Sequence, residues 1–149
     1  MDSHHKLHIA HPSFWVDGSS GKNHPAPFTL ISSEDIKNRK WVPRSDLNDM
    51  EKYVDESIFG SVPTREGGSF DLAGYCKEYA KRLEDGGRFQ LCIWPEHCII
   101  GSPGHCLVPE ILSAVDSWVE ASAKSVTWIH KGKWFWRECS SLFLMDNLC

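Results

Sequence analysis

Hydrophobic positions recur along this chain at helical and strand-like spacings, and together they predict alternating helices and strands. Leu72, Tyr75, Cys76, Tyr79, Ala80 and Leu83 repeat at intervals of three and four, which places them on one helical face. Ser69, Asp71 and Leu72 mark the start of that helix, and Gly86-Gly87 supplies its stop. Phe89 to Trp94 then reads as a short buried strand. Pro109 opens another helix, because proline is tolerated in a first turn. Its apolar stripe is Ile111, Leu112, Val115, Trp118 and Val119. Ser125 to His130, rich in β-branched and aromatic residues, reads as a second strand. Upstream, Ser45 starts a helix with Leu47, Met50, Val54 and Ile58 at helical spacing. Pro63 and Gly67-Gly68 break it between Ser61 and Gly68. Ser32-Ser33-Glu34-Asp35 caps a short helical turn. Residues 1–32 carry the turn chemistry of His11-Pro12, Asp17-Gly18-Ser19-Ser20-Gly21 and His24-Pro25-Ala26-Pro27, and read as loop.

Helix, strand, loop, helix and strand in that order predict an α/β fold whose parallel sheet is joined by crossover helices. In such sheets the working residues sit on loops just past the strand C-termini. Trp94 to His97 follows the first strand and His130-Lys131-Gly132 follows the second, so two chemically equipped loops are expected at one edge.

A chain of 149 residues is most simply one domain with a real core. Its net charge of −4 argues against nucleic acid or an anionic membrane as partner, since both need a basic face. No run of roughly 18 apolar residues occurs, so no transmembrane helix is expected. The N-terminus lacks the apolar segment of a signal peptide, and a cytoplasmic chain with six reduced cysteines is the expectation. No C-x-x-C pair occurs, which leaves a zinc ribbon or thioredoxin motif without support.

Candidate chemistry gathers in a few places. In an extended segment Asp2 and His4 face the same side, so a carboxylate and an imidazole could grip one ion. The bland alternative is a frayed N-terminus in which His4, His5, His8 and His11 are solvated surface. His97 is either a hydrogen-bonded loop residue beside Pro95 or a third ligand. Two histidines and a carboxylate would leave positions open for water, as in catalytic zinc or iron sites. Lys131, at a strand end before Gly132, either snorkels to solvent or holds a nearby thiol as thiolate. Trp94 is either core or the wall of a pocket for a flat ring. Cys76, Cys92 and Cys98 read as buried, inert thiols, and Gly101 to Gly104 reads as a turn.

These motifs resemble the isochorismatase-like cysteine hydrolases, nicotinamidases most closely. Asp2-Ser3-His4 matches that family's Asp-x-His, and His11-Pro12-Ser13-Phe14-Trp15 its following loop. Trp94-Pro95-Glu96-His97-Cys98 with Gly101-Ser102-Pro103-Gly104 matches its Trp-Pro-x-His-Cys and glycine turn, and Lys131-Gly132 its strand-ending Lys-Gly. The order is the family's and covers most of the chain. The resemblance implies a three-layer α/β/α domain over 1–149, with Asp2, His4 and His97 holding a divalent metal, usually zinc. It implies that Trp94 packs on the ring of a small-molecule amide such as nicotinamide. Lys131 would belong to an Asp–Lys–Cys triad in which the thiolate attacks the amide carbon. It also implies association into homo-oligomers.

The departures lie at the ends. The family's catalytic aspartate precedes its Asp-x-His, and its nucleophilic cysteine follows the lysine on a glycine-rich turn that neither Cys139 nor Cys149 occupies. The chain therefore reads as a partial domain missing the first and last strands, and turnover is not expected of it as written. The alternatives are a metal- and ligand-binding pseudoenzyme, or an isochorismatase-type hydrolase of another small substrate.

Overall fold

Ser32 sets the first helix where a capping residue should. Its hydroxyl accepts from the Asp35 amide at 3.0 Å, and the Asp35 carboxylate accepts in return from the Ser32 amide at 3.1 Å. This reciprocal cap satisfies two amides that a helix start leaves open, and it starts α1 (Ser33–Lys37). The computed structural model describes residues 2–47, 68–87, 89–128 and 130. Within them α2 spans Leu72–Asp85, with Gly86 as C-cap, and α3 spans Pro109–Ser122. The strands are β1 (Trp15–Asp17), β2 (Leu30–Ile31), β3 (Trp41–Pro43) and β4 (Leu91–Cys92). Two 3-10 turns, Pro12–Phe14 and Pro103–His105, flank the regions that matter for function.

The expected parallel sheet is corrected by this structure. β1 pairs antiparallel with β3, Trp15 opposite Pro43 and Asp17 opposite Trp41. β2 pairs antiparallel with β4, Leu30 opposite Cys92. Among the described residues there is no parallel sheet and no three-layer arrangement, only one parallel bridge between His4 and Ile99. Strands of two or three residues are too short for periodicity to reveal, and three of the four come from segments whose turn residues or short length hid them. The second expected strand, 125–130, carries no strand among its described residues. With no sheet beneath it among the described residues, α3 buries none of its residues, and Ile111, Leu112 and Trp118 stand exposed. The helix expected from Ser45 lies outside the described residues beyond Leu47, as does most of the Ser61 to Gly68 break.

The core forms between the two small sheets and α2. Phe14, Trp15, Ile31, Ile36, Leu91 and Ile93 pack with Tyr75, Cys76 and Ala80 from one face of α2. Those three are part of the stripe read from the sequence, so helical spacing and burial agree there. The Glu84 carboxylate fastens α1 to α2 by accepting from the Ser33 amide at 2.9 Å and its hydroxyl at 2.6 Å. A charged acceptor at a helix's first turn is favourable. Glu84→Ala is expected to cost about 1–2 kcal/mol by losing both bonds in a half-buried place. Urea unfolding would check this, and an unchanged midpoint would remove the fastening role.

Candidate metal centre

Two distant segments are pinned side by side by backbone bonds. The His4 amide donates to the Cys98 carbonyl at 2.9 Å, and the Ile100 amide donates to the His4 carbonyl at 3.0 Å. The Asp2-x-His4 segment therefore lies along the loop that carries His97. A tight reversal follows. The His11 amide donates to the His8 carbonyl at 2.9 Å, and the Ser13 hydroxyl donates to the Lys6 carbonyl at 2.9 Å. The indole of Trp15, fully buried, donates to the Ile9 carbonyl at 2.6 Å and holds the turn from below. The Trp94 amide donates to the Ala10 carbonyl at 2.7 Å, tying the same turn to the Trp-Pro-x-His-Cys segment.

The result is a cluster of imidazoles around one carboxylate. His4 Nε2 lies 3.1 Å from Asp2 Oδ1, and His97 Nε2 lies 4.0 Å from Asp2 Oδ2. The ligand atoms of Asp2, His4 and His97 fall within 4.8 Å of one another, and so do those of His4, His8 and His11. His4 is common to both sets, with ring centroids 4.5 Å from His8, 5.2 Å from His11 and 4.7 Å from His97. His8 and His11 are completely buried and His4 nearly so. Asp2 and His97 keep 32% and 40% of their side-chain surface, so solvent reaches the cluster from their side.

Electrostatics favour neutral rings here. Burial pushes the His11 pKa below its ordinary value, and the nearby His4 and His97 push the same way. The hydrogen bond to the Lys6 carbonyl opposes them. A neutral imidazole offers a lone pair, as a metal needs. The His11 Nε2 atom is buried and has no hydrogen-bond partner in the cluster, a cost that an ion would relieve. Imidazole nitrogens with a carboxylate oxygen suit zinc and its first-row neighbours. The described residues thus fit a divalent metal.

Asp2, His4 and His97 are brought together although 92 residues of sequence lie between His4 and His97. Trp94 stands 43% exposed at the end of the β4 segment, and its ring meets Phe28 edge to face at 5.6 Å. Phe28 adopts a left-handed backbone with φ of 66°, unusual for a bulky residue. Lys131 lies outside the described residues. Cys76 is buried, whereas Cys92 and Cys98 are only half-buried, which corrects the reading of all three as buried. Burial, with the Asp2 charge second, pushes the Cys98 thiol up, so it is held as thiol. Ser3, between the two ligands, is fully buried, with its hydroxyl 2.8 Å from His105 Nε2. The His105 ring in turn stands 5.8 Å from that of His130.

His8 and His11 are the residues that sequence reasoning left among solvated surface. Their spacing of four and three from His4 is a helical period, but this segment folds as successive turns, so spacing alone did not reveal the cluster. In comparisons with known proteins, no family model, curated protein or solved structure matches this chain. No helix among the described residues is long and apolar enough to cross a membrane.

Proposed function

We propose that this chain is related to the metal-dependent amidohydrolases of the nicotinamidase kind and carries their metal site, built for the amide bond of a small molecule. The observation that carries the reading is the meeting of Asp2, His4 and His97 within 4.8 Å across the half-exposed edge of the cluster. Those three residues would hold the ion, zinc foremost. When bound, it would polarise or position a substrate group at its open coordination positions. Trp94, on the loop that carries His97, offers an aromatic face to a flat ring. In the resembled family the lysine of the Lys-Gly motif helps hold the nucleophilic cysteine as thiolate, and Lys131 is assigned that part here.

A second reading, metal and ligand binding without turnover, has its own support. The thiol nearest the cluster, Cys98, is pushed up by burial, and Cys76 is pushed well up by complete burial. Neither is a ready nucleophile. The two readings separate when the zinc-loaded chain is mixed with nicotinamide and followed by calorimetry and ammonia release. Zinc-dependent ammonia would establish catalysis as well as the metal site. Zinc-dependent heat of binding without ammonia would establish the second. Neither binding nor ammonia would overturn both.

A further inference from the structure

We infer that His105 is a positioning residue of the metal centre: its bond to Ser3 clasps the Asp2-x-His4 segment to the segment that carries His97, from the face opposite the ion. The inference rests on the reading of Asp2, His4 and His97 as ligands. It starts from alternation. His4 forms a parallel bridge with Ile99, so the backbone there is extended. Successive side chains of an extended segment point to opposite faces. Asp2 and His4 turn toward His97, and Ser3 between them turns away to meet His105. Ser3 is fully buried, and its hydroxyl lies 2.8 Å from His105 Nε2. Buried hydroxyls are held by hydrogen bonds, so this contact helps fix where Ser3 sits. Where Ser3 sits decides where the ligands on either side of it sit.

The Ser3–His105 bond closes a ring of contacts around the two segments. Ile99, the bridge partner of His4, follows His97 by two residues. Its carbonyl accepts from the Ser102 amide at 2.9 Å, and the Ser102 carbonyl accepts from the His105 amide at 3.0 Å. These main-chain bonds lead into the turn Pro103–His105 and bring its last ring back to Ser3. The main-chain bonds to Cys98 and Ile100 both run through His4. Bonds through one residue leave a segment free to rock about it. The Ser3–His105 bond lies off that axis, on the far face, and resists the rocking. The His130 ring, edge-on to that of His105 at 5.8 Å, limits its swing from the other side. Rocking would change the gap between Asp2 Oδ2 and His97 Nε2, which is 4.0 Å here. A metal site tolerates errors of only about 0.2 Å in its ligand distances, so small rotations of this segment matter.

Zinc titration of the full chain by calorimetry, beside the visible spectrum of its cobalt-loaded form, reads the positioning. His105→Leu keeps an apolar body in the same place but cannot bond to Ser3. It is expected to weaken zinc binding about tenfold, as loss of a residue behind the ligands does, and to alter the cobalt bands. His105→Gln, whose amide can stand where Nε2 stood, is expected to restore both. Ser3→Ala should reproduce His105→Leu, and the double variant should bind no more weakly than either single one, because all three lack the same bond. A merely structural role would lower the urea midpoint of the metal-free chain and leave the cobalt bands and the zinc affinity of the folded molecules where they were. That result overturns the inference. Unchanged affinity in His105→Leu and Ser3→Ala beside lost affinity in His97→Ala likewise sinks the clasp and leaves the three-ligand site standing. Unchanged affinity in His97→Ala sinks the three-ligand site and the inference with it.

Discussion

Replacing His4 by alanine is expected to weaken zinc binding by about two to three decades. His4 is the ring shared by both ligand sets and stands within 5.2 Å, centroid to centroid, of His8, His11 and His97. A structural zinc site is worth about 10–16 kcal/mol over four ligands, so one ligand carries about 3–4 kcal/mol. Its loss weakens binding by about two to three decades. The backbone that places His4 is independent of its side chain, because the bonds to Cys98 and Ile100 use only main-chain groups. The variant should therefore keep its fold while binding its ion more weakly. Calorimetric titration with zinc, beside circular dichroism of both proteins, reads the two properties separately. His5→Ala is the neighbouring control, since His5 belongs to neither ligand set, and it should bind zinc as before. Equal affinity in His4→Ala would mean that the cluster is a packed imidazole core and not a metal centre.

Local order was more legible than the way its pieces pair. α2 was readable because fourteen residues are long enough for a helical stripe to repeat, and Tyr75, Cys76 and Ala80 do face the core. The Ser32 cap was readable because capping depends on a few adjacent residues. The sheets were not. A two-residue strand such as Leu30–Ile31 has no period, and its partner Leu91–Cys92 lies some sixty residues on, set by packing around Ile93 and Tyr75. The alternation of helical and strand-like segments pointed to crossover units, but β4 found an antiparallel neighbour from the stretch read as loop. The candidate site divides in the same way. Asp2, His4 and His97 stood out through motifs of distinctive residue types. His8 and His11 did not, because their roles depend on a tight turn braced by the Trp15 indole and on which ring nitrogen meets a carbonyl. Those are facts of geometry that residue types alone do not encode.

The brace itself gives the second large expectation. Trp15→Ala should cost about 3–5 kcal/mol, the usual range for emptying a buried aromatic site. Trp15 is fully buried, and its indole is the donor to Ile9, the residue between His8 and Ala10. Domains of this size are stable by about 5–15 kcal/mol, so a large share of the folded margin would go. Trp15→Phe keeps most of the packing but leaves the Ile9 carbonyl without its donor, a loss of about 1–3 kcal/mol. Zinc separates the structural effect from the functional one. An ion that binds only the folded chain adds about 2.7 kcal/mol when present at a hundred times its Kd. Urea unfolding of Trp15→Ala should therefore shift to higher midpoint with zinc, as should the parent chain. Its apparent affinity should fall as well, in proportion to the fraction of molecules whose turn is formed. If the variant unfolds early yet binds zinc with undiminished affinity, the Trp15 indole does not hold the histidine turn. If zinc leaves the midpoint of both proteins unmoved, the buried histidines serve packing alone.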